Sequence, residues 1–297
     1  MNIQDILGAF NPLNQLLPEQ AEKIKSFISE KFNYEPKIGI LGKTGVGKSS
    51  LCNALFGKDV APISHTESCT READEYSLRL SSGNIKLVDL PGVGEGRERD
   101  IQYKALYSEQ LPELDVVLWV IKADDRAFSS DEEFYCNVLK PHLEQGKPFI
   151  IVLNQVDKVD PLREWDTKNC IPGHQQQENI DAKVKLVAQN FGINSKAVIP
   201  VSSAEKYNLI TLVEIITYAI PKEKKVSFVN AVKDENRSEK SKEEAKRGFF
   251  EAWGEGIGEF LFGEVGKNGG RLAGSLYDET IVGKVVNFIA KKYFPWW

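Results

Sequence analysis

The sequence predicts an α/β fold: a mostly parallel six-stranded sheet with helices on both faces. Two observations carry that expectation. Short β-branched runs alternate with stretches of helical spacing across residues 36–221. A glycine-rich loop, Gly42-Lys43-Thr44-Gly45-Val46-Gly47-Lys48-Ser49, also sits between the apolar run Ile38-Gly39-Ile40-Leu41 and a helix-like stretch. Strands are expected at 37–41, 75–80, 85–89, 115–121, 149–153 and 198–201. The turn Ser81-Ser82-Gly83-Asn84 makes a hairpin of the second and third, so one strand runs antiparallel. The other connections are long enough for helices near 49–57, 98–110, 129–145, 175–191 and 209–219. A unit of about 185 residues is large enough to bury its own core.

Outside that unit the composition changes. Residues 1–35 hold Ala21, Ile24, Phe27, Ile28 and Phe32 at helical spacing after Pro18, which reads as an N-terminal amphipathic helical extension. Residues 222–247 read as a charged helical linker, and 248–297 as a Gly/aromatic-rich amphipathic segment. In the last, Gly266, Gly270 and Gly274 and the basic, aromatic end (Lys291, Lys292, Trp296, Trp297) leave open a peripheral membrane contact. Glu251, Glu255, Glu259 and Glu264 oppose it by repelling anionic lipid.

The net charge of −5 gives no support to a general electrostatic binder of nucleic acid. Four scattered cysteines and three histidines do not form a disulfide framework or a zinc pattern. Without a basic leader at Met1–Asp5 or an apolar run of about 18 residues, a cytoplasmic protein is expected.

The chemistry begins at Gly42–Ser49, which matches G-x-x-x-x-G-K-[ST], the phosphate-binding loop of P-loop NTPases. Backbone N–H groups of Gly42, Lys43, Thr44, Gly45, Val46 and Gly47 would turn inward around phosphate, aided by a helix N-terminus. Lys48 would reach the β- and γ-phosphates, the Ser49 hydroxyl would ligate Mg²⁺, and Ser50 follows within nucleotide reach. Asp89-Leu90-Pro91-Gly92 is a D-x-x-G motif at a strand end, with Asp89 toward the Mg²⁺ shell and the Gly92 N–H toward the γ-phosphate. Asn154-Gln155-Val156-Asp157 is similar to the N-K-x-D guanine motif, in which the aspartate accepts from guanine N1–H and the exocyclic amine. Gln155 stands in place of the lysine whose stem covers the purine face. Ser202-Ser203-Ala204, after the last strand, corresponds to the loop whose backbone meets guanine O6.

These ordered motifs resemble the Era/TrmE-type P-loop GTPases, and most closely the prophage-associated YfjP/YeeP-like bacterial GTPases. The resemblance covers about residues 36–221 and implies a Ras-like G domain that binds GTP/GDP with Mg²⁺ and hydrolyses GTP. Ser68-Cys69-Thr70-Arg71-Glu72 is similar to the family's switch I segment. The match makes Thr70 the Mg²⁺- and γ-phosphate-sensing threonine, with Thr66 as the alternative. Lys48, Thr70 and Gly92 thus form the expected catalytic set, and Ser49, Thr70 and Asp89 the metal set. Val93 occupies the position of the water-orienting glutamine of Ras-like enzymes, and Gly45 that of the potassium-holding asparagine of TrmE-like members. Slow hydrolysis is therefore expected, with Glu95, Arg97 or Arg99 as candidate helpers. The expected behaviour is a nucleotide-dependent switch with a protein effector. A homodimer through the G domain is left open, and so is a GTP-binding assembly scaffold with negligible turnover, in contact with a membrane or not; an Era-like RNA- or ribosome-associated factor is the weaker alternative. Nucleic acid is not expected as a partner. Asp124-Asp125-Arg126 and Arg163-Glu164-Trp165-Asp166 also look familiar for the prophage-type members, without an assigned role.

Overall fold

The computed structural model describes residues 35–57, 74–80, 83–90, 106–125, 129–143, 146–252 and 255. The expectations for residues 1–34, Thr66, Thr70, Gly92, Val93, the charged loop 94–100 and residues 256–297 lie outside the described residues.

The chain runs β1 (Lys37–Leu41), α1 (Lys48–Phe56), β2 (Asp74–Leu80), β3 (Gly83–Asp89) and β4 (Val116–Lys122). Next comes α2, built from Ser129–Phe134, a π-helical stretch Tyr135–Leu139 and Lys140–Leu143. It is followed by β5 (Phe149–Asn154), α3 (His174–Phe191), β6 (Val198–Pro200), α4 (Leu209–Ala219), α5 (Lys225–Ala231) and α6 (239–252). The six strands form one sheet in the order β2-β3-β1-β4-β5-β6. Only the β2–β3 pair is antiparallel, and its register joins Leu80 to Gly83 across the expected tight turn. Parallel pairing aligns the carboxyl ends of β1, β3, β4 and β5 along one edge of the sheet. A crevice outside the carboxyl ends of parallel strands is where open α/β sheets bind ligands.

Strand β4 shows why the sheet is covered on both sides. Val116, Leu118 and Val120 face one core, and Val117, Trp119 and Ile121 face the other, all buried. Side chains alternate across a strand, so an unbroken apolar run is stable only if both faces are packed. On the second face Trp119 makes edge contacts with Phe134, Phe149 and Phe191 at ring separations of 5.8, 6.4 and 5.9 Å.

The stretch read as a charged helical linker packs into the first core. Val226, Phe228, Val229, Ala231, Val232 and Ala245 join α1 and α4 there, as do Phe249 and Phe250 from the start of the segment that follows. Its charges are absorbed by pairing: Lys225 and Glu244 form a buried ion pair, which also receives Arg247. The Asn236 amide and the Lys233 N–H donate to the carbonyls of Ala54 and Leu55, each at 2.9 Å, and so cap the last turn of α1. Charge density along the sequence concealed an apolar face at helical spacing. No helix among the described residues is long and apolar enough to cross a membrane.

Candidate nucleotide site

Leu41 ends β1 at the ligand edge, and Gly42–Gly47 turns there into α1. Gly47 adopts φ +93°, and a Cβ on it would lie 2.5 Å from the Asn154 amide nitrogen. Position 47 therefore needs glycine twice over, for its left-handed backbone and for the close approach of Asn154. Thr44, Gly45 and Ser50 are exposed, Ser49 and Lys48 are half-buried, and Val46 is buried in the first core. Lys48 Nζ donates to the Gly42 carbonyl at 2.8 Å, which holds the ammonium across the mouth of the loop. A loop that bends backbone N–H groups around a helix N-terminus, with an ammonium beside it, suits an anion.

Beside it, β3 ends at Asp89, whose backbone lies opposite Ile40 of β1, and the Leu90 N–H donates to the Ile40 carbonyl at 3.2 Å. The topology thus brings the end of the D-x-x-G strand next to the strand that feeds the loop. Two strands over, β5 delivers Asn154, which is 1% exposed. Its Nδ2 donates to the Val46 carbonyl at 2.9 Å, while its Oδ1 accepts from the Ser203 N–H at 3.1 Å and the Ser203 hydroxyl at 2.9 Å. One side chain therefore locks together three loops that are far apart in sequence.

Gln155, at φ 63°, sends its Nε2 to the Gly45 carbonyl at 3.1 Å. Its Oε1 accepts from Lys158 Nζ at 2.7 Å, so a cation still sits beside the position where the motif usually has its lysine. Asp157 lies in a short 3₁₀ turn, Val156–Lys158. Its Oδ1 is buried with no hydrogen-bond partner among the described residues. A buried carboxylate oxygen without a donor is costly, and a ligand bearing adjacent N–H groups would satisfy it. Ser202 is buried and its hydroxyl accepts from the Glu205 N–H at 3.1 Å; Ala204 is exposed at the tip of that loop.

Three side chains of this region lie outside the nucleotide-binding motifs, Glu164 among them in the Arg163–Asp166 segment that has no assigned role. Asp131, on α2, pairs with Lys43 of the loop at 2.5 Å. Burial pushes its carboxyl above the ordinary range, with the Lys43 ammonium and hydrogen bond pulling the other way. Gln176 and Glu164 meet behind the turn that carries Asp157. Nothing in local sequence marks these pairings, since residues 43 and 131 come together only across the sheet.

The fold and the clustered loops define a P-loop protein with a guanine-nucleotide-type site. Residues 37–155 match the 50S ribosome-binding GTPase family. The uncharacterised Escherichia coli (strain K12) protein YkfA is 39% identical over 255 residues, 86% of each chain. YfjP of the same organism is 38% identical over 244 residues, covering 82% of this chain and 83% of its own. The chain belongs to this GTP-binding GTPase family, within the group that includes YkfA and YfjP. Among solved structures, Era in complex with MgGDPNP and nucleotides of 16S ribosomal RNA is 28% identical. It covers 63% of this chain and 57% of that one, at a TM-score of 0.48.

Proposed function

We propose that the chain binds GTP and GDP with Mg²⁺ and hydrolyses GTP slowly, as a nucleotide-dependent switch in the cytoplasm that engages a protein effector in its GTP form. The observation that supports this best is the buried Oδ1 of Asp157, without a hydrogen-bond partner among the described residues, on a turn bonded through Asn154 to the phosphate loop. Guanine offers N1–H and an exocyclic amine side by side to such a carboxylate, whereas adenine has an unprotonated N1. In this reading Gly42–Ser50 surrounds the phosphates, with Lys48 on the β/γ pair. Ser49, Asp89 and Thr70 hold Mg²⁺, and the Gly92 N–H senses the γ-phosphate. Gln155 covers the purine, and the backbone at Ser202, Ser203 and Ala204 faces O6.

Slowness follows from Val93, which has no polar group to orient water, and from Gly45, which has no side chain to hold a cation. Intrinsic turnover on the order of 10⁻³ s⁻¹ or below is expected, as for unassisted Ras-like enzymes. Titration with fluorescent GDP and ADP tests the base, with binding of GDP alone expected. Single-turnover hydrolysis tests the rate, and several turnovers per second from the isolated chain would refute the slow switch.

A further inference from the structure

The segment Arg163-Glu164-Trp165-Asp166 and the start of α3 lie behind the turn that carries Asp157. Gln176, in the first turn of α3, is 0% exposed, an unusual place for a glutamine. Its Nε2 donates to the Val159 carbonyl at 2.7 Å and, more weakly, to the Asp157 carbonyl at 3.4 Å. Its own backbone N–H is accepted by Glu164 Oε2 at 3.0 Å. That carboxylate does the work of an N-cap, because Gly173 before α3 has no side chain to supply one. Gly173 also permits the approach, since a Cβ there would lie 2.7 Å from that of Glu164. From the same helix Asn179 Nδ2 donates to the Asp160 carbonyl at 2.8 Å. Thus α3 holds the carbonyl of Asp157 within the turn and those of Val159 and Asp160 just after it, and Glu164 holds α3. Trp165 packs edge-on against Tyr207 at 5.7 Å, and Asp166 bridges to Ile171, which ties the segment to the loop after β6 as well.

We propose that Gln176, set by Glu164, is a positioning residue for base recognition: it holds the Asp157 turn so that the carboxylate can accept two hydrogen bonds from one purine edge. This rests on the reading of Asp157 given under Proposed function. A bidentate contact tolerates little displacement, so a loosened turn loses the second bond before the first. Hypoxanthine has N1–H but no exocyclic amine and offers Asp157 only the first bond. Loosening the turn therefore weakens GDP more than IDP, whereas general loss of structure weakens both alike.

The test measures the affinity of the full chain for GDP and IDP in Gln176→Met, Glu164→Ala and Glu164→Gln. Gln176→Met keeps the volume and removes the donor, and the GDP/IDP affinity ratio is expected to fall about fivefold to tenfold, the worth of one or two hydrogen bonds. Glu164→Ala should lower the ratio about twofold to threefold, and Glu164→Gln, which retains an acceptor oxygen, should restore it. Parallel loss of both nucleotides, or an unchanged ratio, in Gln176→Met overturns the proposal. If that variant does not fold, an unchanged ratio in Glu164→Ala does so. Asp157→Asn checks the base reading separately, because an amide can donate to the C2 carbonyl of xanthine. Failure of this variant to favour XDP over GDP refutes the assignment of Asp157, and the role of Gln176 falls with it.

Discussion

Replacing Asn154 with alanine removes three hydrogen bonds at once: Nδ2 to the Val46 carbonyl, and Oδ1 from the Ser203 N–H and hydroxyl. Both partners are buried, at 4% exposure for Val46 and 9% for Ser203, so water cannot readily replace the lost amide. At about 1 kcal/mol net per bond, and somewhat more where a buried group is left unpaired, the loss is roughly 3–4 kcal/mol. For a unit of 150–250 residues each kcal/mol moves the melting temperature by about 2–4 °C, which gives a fall of roughly 6–16 °C. Thermal denaturation followed by circular dichroism without nucleotide reads this directly. Asn154→Asp separates the two sides of the contact, because it keeps the acceptor for Ser203 and turns an oxygen toward the Val46 carbonyl. Its GDP affinity should therefore fall at least as far as in the alanine variant. A melting point within about 2 °C of the parent in Asn154→Ala, with GDP affinity also unchanged, would show that Asn154 is not the tie between these loops.

Two further outcomes follow from buried charges outside the motifs. Lys225→Met strips the buried partner from Glu244, and a cost near 3 kcal/mol is expected in urea denaturation, because among the described residues only Arg247 remains to pair it. The double variant Lys225→Met/Glu244→Met should be more stable than the single one, and the opposite order would refute the reasoning. Asp131 has a folded-state pKa above its ordinary 3.8, chiefly from burial. As pH rises from 3.8 the unfolded chain gives up this proton first, so stability falls until the pH passes the raised folded value and is level beyond it. Asp131→Asn should remove that part of the slope, and a pH-independent difference in melting temperature between parent and variant would contradict it.

How much of this was legible beforehand varies from residue to residue. The β1-loop-α1 unit could be read because its signal is local: an apolar strand, a turn that needs glycine at Gly47 and a helix follow within twenty residues. The antiparallel β2–β3 pairing could be read for the same reason. By contrast, residues 222–247 read as a charged linker, because the Lys and Glu residues of that stretch outweigh Val226, Phe228 and Ala245 in its composition. Asp131 and Gln176 carry no signal in the sequence, and Glu164 stands in the Arg163–Asp166 segment, which looks familiar but suggests no role. Each is an ordinary polar residue that becomes part of the site only by what the fold sets beside it.

By itself, then, the sequence determined the class of the protein: a strand, a phosphate loop and a helix in register, followed in order by strand-end Asp89, Asn154 and Asp157. Those features are periodicities and short spacings, which depend on bonds between near neighbours. Only the tertiary structure decided that one buried amide joins the three loops and that the Asp157 turn is held from behind by α3. It also decided that the charged C-terminal helices complete the core beneath α1. Such pairings join residues up to 182 positions apart. They arise from the crossovers that stack helices on a parallel sheet, and no local pattern of residues encodes them.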